Sequence, residues 1–170
     1  LLHVPRDTTR PVLKIGLVGE IYTLLEPFAS LYIEKKLGHL GAHVTRSLYL
    51  SEWIENHLLI GIFRRKTKVS FCDFASPFLN HFVGGHGQES IGAAASFALQ
   101  GYDGIVQVAP LTCMPEIVAH TIFPKVSEYY GIPVLTIYVD EQSGEAGIGT
   151  RLEAFVDLLQ RKAASKSKCG

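Results

Sequence analysis

The residue around which chemistry can be built is Cys113. It lies in the stretch Asp103 to His120, DGIVQVAPLTCMPEIVAH, bracketed by Pro110 and Pro115. An apolar strand pattern from Gly104 to Val108 runs into a short turn, and Pro115 suits the first turn of a helix that begins directly after the thiol. A thiol is thereby placed at the carboxyl end of a strand and beside a helix N-terminus. In an open parallel sheet that is where free N–H groups converge and ligands bind. A cysteine in such a place can be a nucleophile of lowered pKa, a metal or cluster ligand, or a small buried filler. The turn between two prolines speaks against filler, because a packing cysteine sits more often inside a strand or helix. Glu116 is close and opposes thiolate formation, and His120, further into the helix, is read as facing away from the tip. Ligation stays open, yet one thiol cannot hold a metal, and Cys72 and Cys169 stand at no ligand spacing from it.

The elements that must position this thiol alternate in type. Val12 to Val18 (VLKIGLV) is a short apolar run ending at Gly19, suited to a strand buried on both faces. Glu26 and Pro27 are expected to open a helix through Leu37, closed by Gly38. Ala42 to Leu50 reads as a second strand, more exposed and nearer the sheet edge, and Ser51 starts a helical run WIENHLLIGIF that ends at the basic cluster Arg64 to Lys68. That cluster reads as a solvated helix end, since basic residues favour a helix C-terminus. Residues 66–88 are read as an inserted segment, aromatic, without clean periodicity, and holding Cys72, Asp73 and His81. It closes in VGGHGQES, whose glycines resemble a phosphate loop only loosely, for no clear strand precedes them and no Lys-Ser/Thr pair follows. Glu89 to Gln100 is a helix of small residues able to pack closely on a sheet.

The helix after Cys113 contains Pro124, which is expected to kink or divide it before Gly131. Val134 to Val139 (VLTIYV) is the fourth strand, with Asp140 and Glu141 at its tip. Thr150 to Glu153 (TRLE) has the form of a capping box for a last helix, whose buried stripe is Leu152, Phe155, Val156 and Leu159. Arg151 would then stand in a first helical turn, where a cation is unfavourable, hinting at a partner such as Glu145 or a bound carboxylate. The whole predicts an α/β, Rossmann-like three-layer sandwich around a four-stranded parallel sheet of order 2-1-3-4. A mobile leader (1–11), one domain (12–160) and a disordered tail (161–170) complete it. At the switch point the strand tips would bring together Gly19, Glu20, Thr112, Cys113, Asp140 and Glu141, with Arg151 a further candidate and Glu26 a helix-start carboxylate.

A length of 170 residues supports one domain with a proper core. Lys+Arg and Asp+Glu balance at 16 each, so no net field points to nucleic acid or to an anionic membrane surface. No apolar run approaches the roughly 18 residues of a membrane span. Met114 is the only methionine, so the sequence carries no initiator and reads as a domain cut from a longer protein. The three cysteines are odd in number and far apart, which fits a reducing cytoplasm and no disulfide framework.

The runs VGEIYTLLEPFASLYIEKKL and DGIVQVAPLTCMPEIVAHTIFPKVSEYYGIPVLTIYVDEQSGEAGIGTRLEAFVDLL, over most of Val12 to Leu159, resemble the carboxyl-terminal region of the 2-hydroxyacyl-CoA dehydratase family. Within it they are most similar to the large CoA-substrate-specific enzyme activases related to 2-hydroxyglutaryl-CoA dehydratase. The motifs that carry the resemblance are P-x-T-C-M-P-E and D-E-Q-x-G-E-A-G-x-x-T-R-L-E-A-F. It implies a domain that helps to hold an oxygen-sensitive 4Fe-4S-type cluster, with Cys113 at one ligand position and the other ligands in other domains. It also implies an ATP-dependent activator as partner, an acyl-CoA substrate, and a fragment inactive by itself. The residues alone also admit a CoA- or nucleotide-binding module in which Cys113 is incidental, a thiol enzyme, and a homodimer formed through an exposed apolar face.

Overall fold

The computed structural model describes residues 12–48 and 71–168. The expected leader, the helical run from Ser51, the basic cluster Arg64 to Lys68 and Cys169 lie outside the described residues. Four strands, β1 (Lys14–Gly19), β2 (His43–Arg46), β3 (Gly104–Pro110) and β4 (Val134–Val139), form one sheet in the order β2-β1-β3-β4. Every pair is parallel, with Leu17 opposite both Arg46 and Val106, and Gln107 opposite both Val18 and Thr136. The chain is therefore an α/β, Rossmann-like domain in the expected order. β1 after Lys14 and β3 apart from Gln107 are apolar because both faces are covered, as parallel crossovers require.

The helices are α1 (Ile21–Leu25), α2 (Ile33–His39), α3 (Phe71–Ala75), α4 (Gly87–Leu99), α5 (Met114–Tyr130) and α6 (Glu145–Lys168). One core gathers Ile15, Leu17, Leu24, Leu37, Val106, Val108, Ile137, Leu152 and Phe155, joining α1, α2 and α6 to one face of the sheet. The other gathers Val18, Ile91, Ala93, Ala94, Ile105, Ala119, Phe123 and Val126, joining α4 and α5 to the opposite face. The small residues of α4 serve this approach. A Cβ on Gly92 would come within 1.7 Å of the Phe71 carbonyl oxygen, so α3 lies directly against α4 there.

Several boundaries depart from expectation for local reasons. The helix expected from Glu26 to Leu37 is two helices. Glu20 caps α1 by accepting from the Tyr22 and Thr23 N–H groups at 3.0 Å each, and Glu26 is its C-cap. Pro27, with no N–H to donate, cannot extend α1. The turn that follows closes with Leu31 and Tyr32 both left-handed, at φ 50° and 56°. Strand β2 is shorter than Ala42 to Leu50, ending at Arg46. Pro124 does not divide α5, which runs unbroken to a left-handed Gly131 at φ 64°. The ~3 kcal/mol cost of an interior proline is offset there by the burial of Phe123 and Val126 on either side.

α6 starts five residues before Thr150, and the capping box is not used. Thr150 Oγ1 instead donates back to the Ala146 carbonyl at 3.1 Å. Burial of Ile148 together with Leu152 draws the run EAGIG, from Glu145, into the helix. At its other end α6 continues through Lys168, where a disordered tail was expected.

Candidate functional site

The carboxyl ends of β1 and β3 meet at the switch point. Glu20 N–H donates to the Val108 carbonyl at 3.2 Å, and the buried Thr23 hydroxyl donates to the same oxygen at 3.2 Å. Gly19, at φ 144°, could carry no side chain, since its Cβ would lie 1.9 Å from that carbonyl oxygen. The β1 tip thus presses directly on β3. Pro110 then turns the chain, its carbonyl accepting from the Cys113 N–H at 3.1 Å. Cys113 becomes the N-cap of α5, half-buried, while Leu111 and Met114 on either side of it are exposed.

A third loop reaches this point from elsewhere in the chain. Gly84 and Gly85 are left-handed, and a Cβ on Gly87 would stand 2.2 Å from the Pro115 carbonyl oxygen. The VGGHG turn is therefore a close-packing device that seats the start of α4 on the start of α5. Gly85 and Gly87 are the glycines this close approach to Pro115 requires. Phe82, just before this turn, and Tyr22 and Phe28, after β1, are exposed.

Beneath Cys113 lies a polar cluster that the sequence reading did not assemble. Glu116 is fully buried, and so is Gln107, in the middle of β3. Ser90 Oγ of α4 donates to Glu116 Oε1 at 2.7 Å. Gln107 Nε2 donates to Glu116 Oε2 at 2.8 Å and to the Glu116 carbonyl at 3.0 Å. Thr136 Oγ1 of β4 donates to Gln107 Oε1 at 2.9 Å. Every polar atom of the Gln107 and Glu116 side chains is thus engaged, as burial demands. The signal was present in the sequence: a glutamine inside an otherwise apolar strand must find a partner.

Burial raises the Glu116 carboxyl above the ordinary carboxylate value; the bonds from Gln107 and Ser90 and the nearby His86 oppose the rise, and Glu20 adds to it. Burial likewise raises the Cys113 thiol. The Glu116 backbone N–H, which faces the sulfur without a well-aligned bond, works against that rise, whereas the Glu116 and Glu20 carboxylates reinforce it. This electrostatic setting opposes an activated thiolate nucleophile. Tyr138 on β4 is raised as well, by burial and then by Glu116 and Cys113.

The structure gathers only some of the expected site residues. Gly19, Glu20 and Cys113 converge. Thr112 is exposed beside Cys113. Asp140 organises the turn after β4, its Oδ1 accepting from Ser143 Oγ at 2.7 Å and from the Gln142 N–H at 3.0 Å, while Glu141 is simply exposed. Arg151 is in the second turn of α6, not a first turn; its Nη2 donates to the Thr136 carbonyl at 2.7 Å, well back from the tips. Glu145 pairs with Lys36 at 3.3 Å, not with Arg151.

A 4Fe-4S-type cluster needs several thiolates. The described residues include two cysteines, Cys113 at this rim and Cys72 on α3, and neither is in a disulfide. Among the described residues no group of three or more histidine, cysteine or carboxylate side chains could hold a metal ion. The donor set of the described residues can supply one ligand of a shared site and does not fit a complete cluster. No helix of the described residues is long and apolar enough to cross a membrane. The chain matches no protein-family model and no curated protein.

Proposed function

We propose that this chain is a Rossmann-like domain related to the 2-hydroxyacyl-CoA dehydratases and their activases, in which Cys113 supplies one ligand to a 4Fe-4S-type cluster shared with another domain. The observation that supports this reading is the setting of Cys113. It is a thiol on the tip of a central strand, at a helix N-terminus, with exposed Leu111 and Met114 close to it in the chain. Exposed apolar side chains at that tip are suited to contact with a second protein surface. Such a cluster would supply low-potential electron transfer towards an acyl-CoA, with an ATP-dependent activator as donor, in a reducing compartment such as the cytoplasm. What this chain contributes is positioning: Pro110 and the α5 N-terminus fix the backbone at Cys113, and Gln107 and Ser90 anchor the turn through Glu116.

The test is anaerobic isolation of the protein as it occurs in its cell, with iron and sulfide analysis and EPR spectra, beside Cys113→Ser. Iron, sulfide and a cluster signal that fall in the serine variant support the reading. A protein free of iron and sulfide refutes it.

One observation favours a second reading, a CoA- or nucleotide-binding module. A cleft of about 430 Å³ opens on the α1/α2 side of β1, lined by Leu17, Leu24, Pro27 and Tyr32, with Lys35 and an Arg46 paired to Glu34 at 3.1 Å among its walls. Titration calorimetry with CoA and with ATP separates the two, and tight binding unaffected by Cys113→Ser favours the cleft.

A further inference from the structure

The buried cluster under Cys113 continues outward to the surface, and the hydrogen bonds of its Gln107, Thr136 and His120 members leave only one arrangement of protons. The carbonyl of Glu116 can only accept, so the side-chain group of Gln107 that faces it, at 3.0 Å, must be the amide nitrogen. This holds whatever the charge on the Glu116 carboxyl. The other end of the Gln107 amide, Oε1, therefore faces Thr136, and the Thr136 hydroxyl must give its single proton to it at 2.9 Å. That hydroxyl has only lone pairs left for its other neighbour, Nδ1 of His120, 3.0 Å away. The His120 ring must donate from Nδ1. When the ring is neutral the lone pair then belongs to Nε2, on the far side of the ring from Thr136.

His120 is on the exposed side of α5, and its ring meets Tyr138 edge to face with centroids 5.7 Å apart. Arg151 binds the carbonyl of the same Thr136, so a fixed positive charge stands on the residue that orients the imidazole. A cationic donor is disfavoured beside it, and a neutral hydroxyl is not.

We propose that the β4 edge carries an acceptor site for a hydroxyl-bearing ligand, formed by His120 Nε2 against the Tyr138 ring, with Gln107 and Thr136 as the positioning residues that hold the imidazole in its Nδ1–H tautomer. This inference is independent of any cluster at Cys113. It ties an exposed side chain to the core through bonds that an ordinary surface histidine lacks.

The experiment is nitrogen-15 NMR of the imidazole rings in the full chain, under alkaline conditions above the ~6.5 of an ordinary imidazole, with phenol as the neutral hydroxyl probe. His120 is assigned by comparison with His120→Gln. The expected result is a protonated Nδ1 and a bare Nε2, kept in Thr136→Ser, replaced by a mixture of tautomers in Thr136→Val, and an Nε2 resonance that moves on addition of phenol. A wild-type ring protonated on Nε2, a valine variant with an unchanged tautomer, or an Nε2 resonance indifferent to phenol would each overturn the proposal.

Discussion

Gln107 and Glu116 are bound to each other twice, side chain to side chain at 2.8 Å and side chain to main chain at 3.0 Å, where the central strand meets the first turn of α5. The double contact anchors the turn that carries Cys113 to the middle of the sheet. It also explains why a carboxyl can be buried so completely at that point, since Ser90 satisfies the oxygen that Gln107 does not reach.

Glu116→Ala strands one N–H of the Gln107 amide and leaves the Ser90 hydroxyl only its longer bond to the Gly19 carbonyl at 3.5 Å. An unsatisfied buried group costs about 1–3 kcal/mol, so the variant loses about that much in urea denaturation. Glu116→Gln keeps the shape and most of the bonds, and loses much less. Equal losses in the two variants would show that the bonds carry no weight.

The raised pKa of Glu116 sets the sign of a pH effect. Between the ordinary carboxylate value and the raised folded value, the folded chain holds a proton that the unfolded chain has released, so stability falls as pH rises through that window. The contribution is fully present below the unfolded pKa and is lost as pH passes the folded one. Glu116→Gln lacks this dependence. The stability of wild type relative to the glutamine variant, measured by denaturation at a series of pH values, therefore decreases with rising pH. A flat difference would contradict the assignment.

Cys113 is expected to react sluggishly at neutral pH. Its alkylation rate, followed in a Cys72→Ser, Cys169→Ser background, rises with an inflection above the ~8.5 of an unperturbed thiol, because burial and the Glu116 and Glu20 carboxylates disfavour the thiolate. Glu20→Gln moves the inflection down. An inflection below that of a free cysteine would instead indicate an activated nucleophile.

Two glycines test the packing of the rim against an open position. Gly87→Ala drives a methyl group to 2.2 Å from the Pro115 carbonyl oxygen, and overpacking of this kind costs about 1–3 kcal/mol. Gly149→Ala, in the second turn of α6 with nothing within 4 Å of its Cβ, gains about 0.5–1 kcal/mol from helix propensity. Thermal denaturation of the two variants should give shifts of opposite sign.

The sequence by itself determined the layers and the strand order. Apolar runs of strand length alternating with helical periods admit few arrangements once crossovers must be right-handed and both faces of a parallel sheet covered. It also placed Cys113 at a strand tip, because Pro115 and the end of the Gly104 to Val108 run mark that boundary locally. Helix limits were less legible where two local signals competed, as at Pro27, which is as able to stop α1 as to start a new helix, and at Thr150, whose capping pattern yields to the burial of Ile148. Tertiary structure alone decided the polar chain from Ser90 through Glu116, Gln107 and Thr136 to His120. Its members are separated in sequence by up to 29 residues at a single bond, and hydrogen-bond partners so distant leave no periodicity or motif behind. What selects them is that a buried polar group must be satisfied, and only the folded sheet brings the satisfying groups within reach.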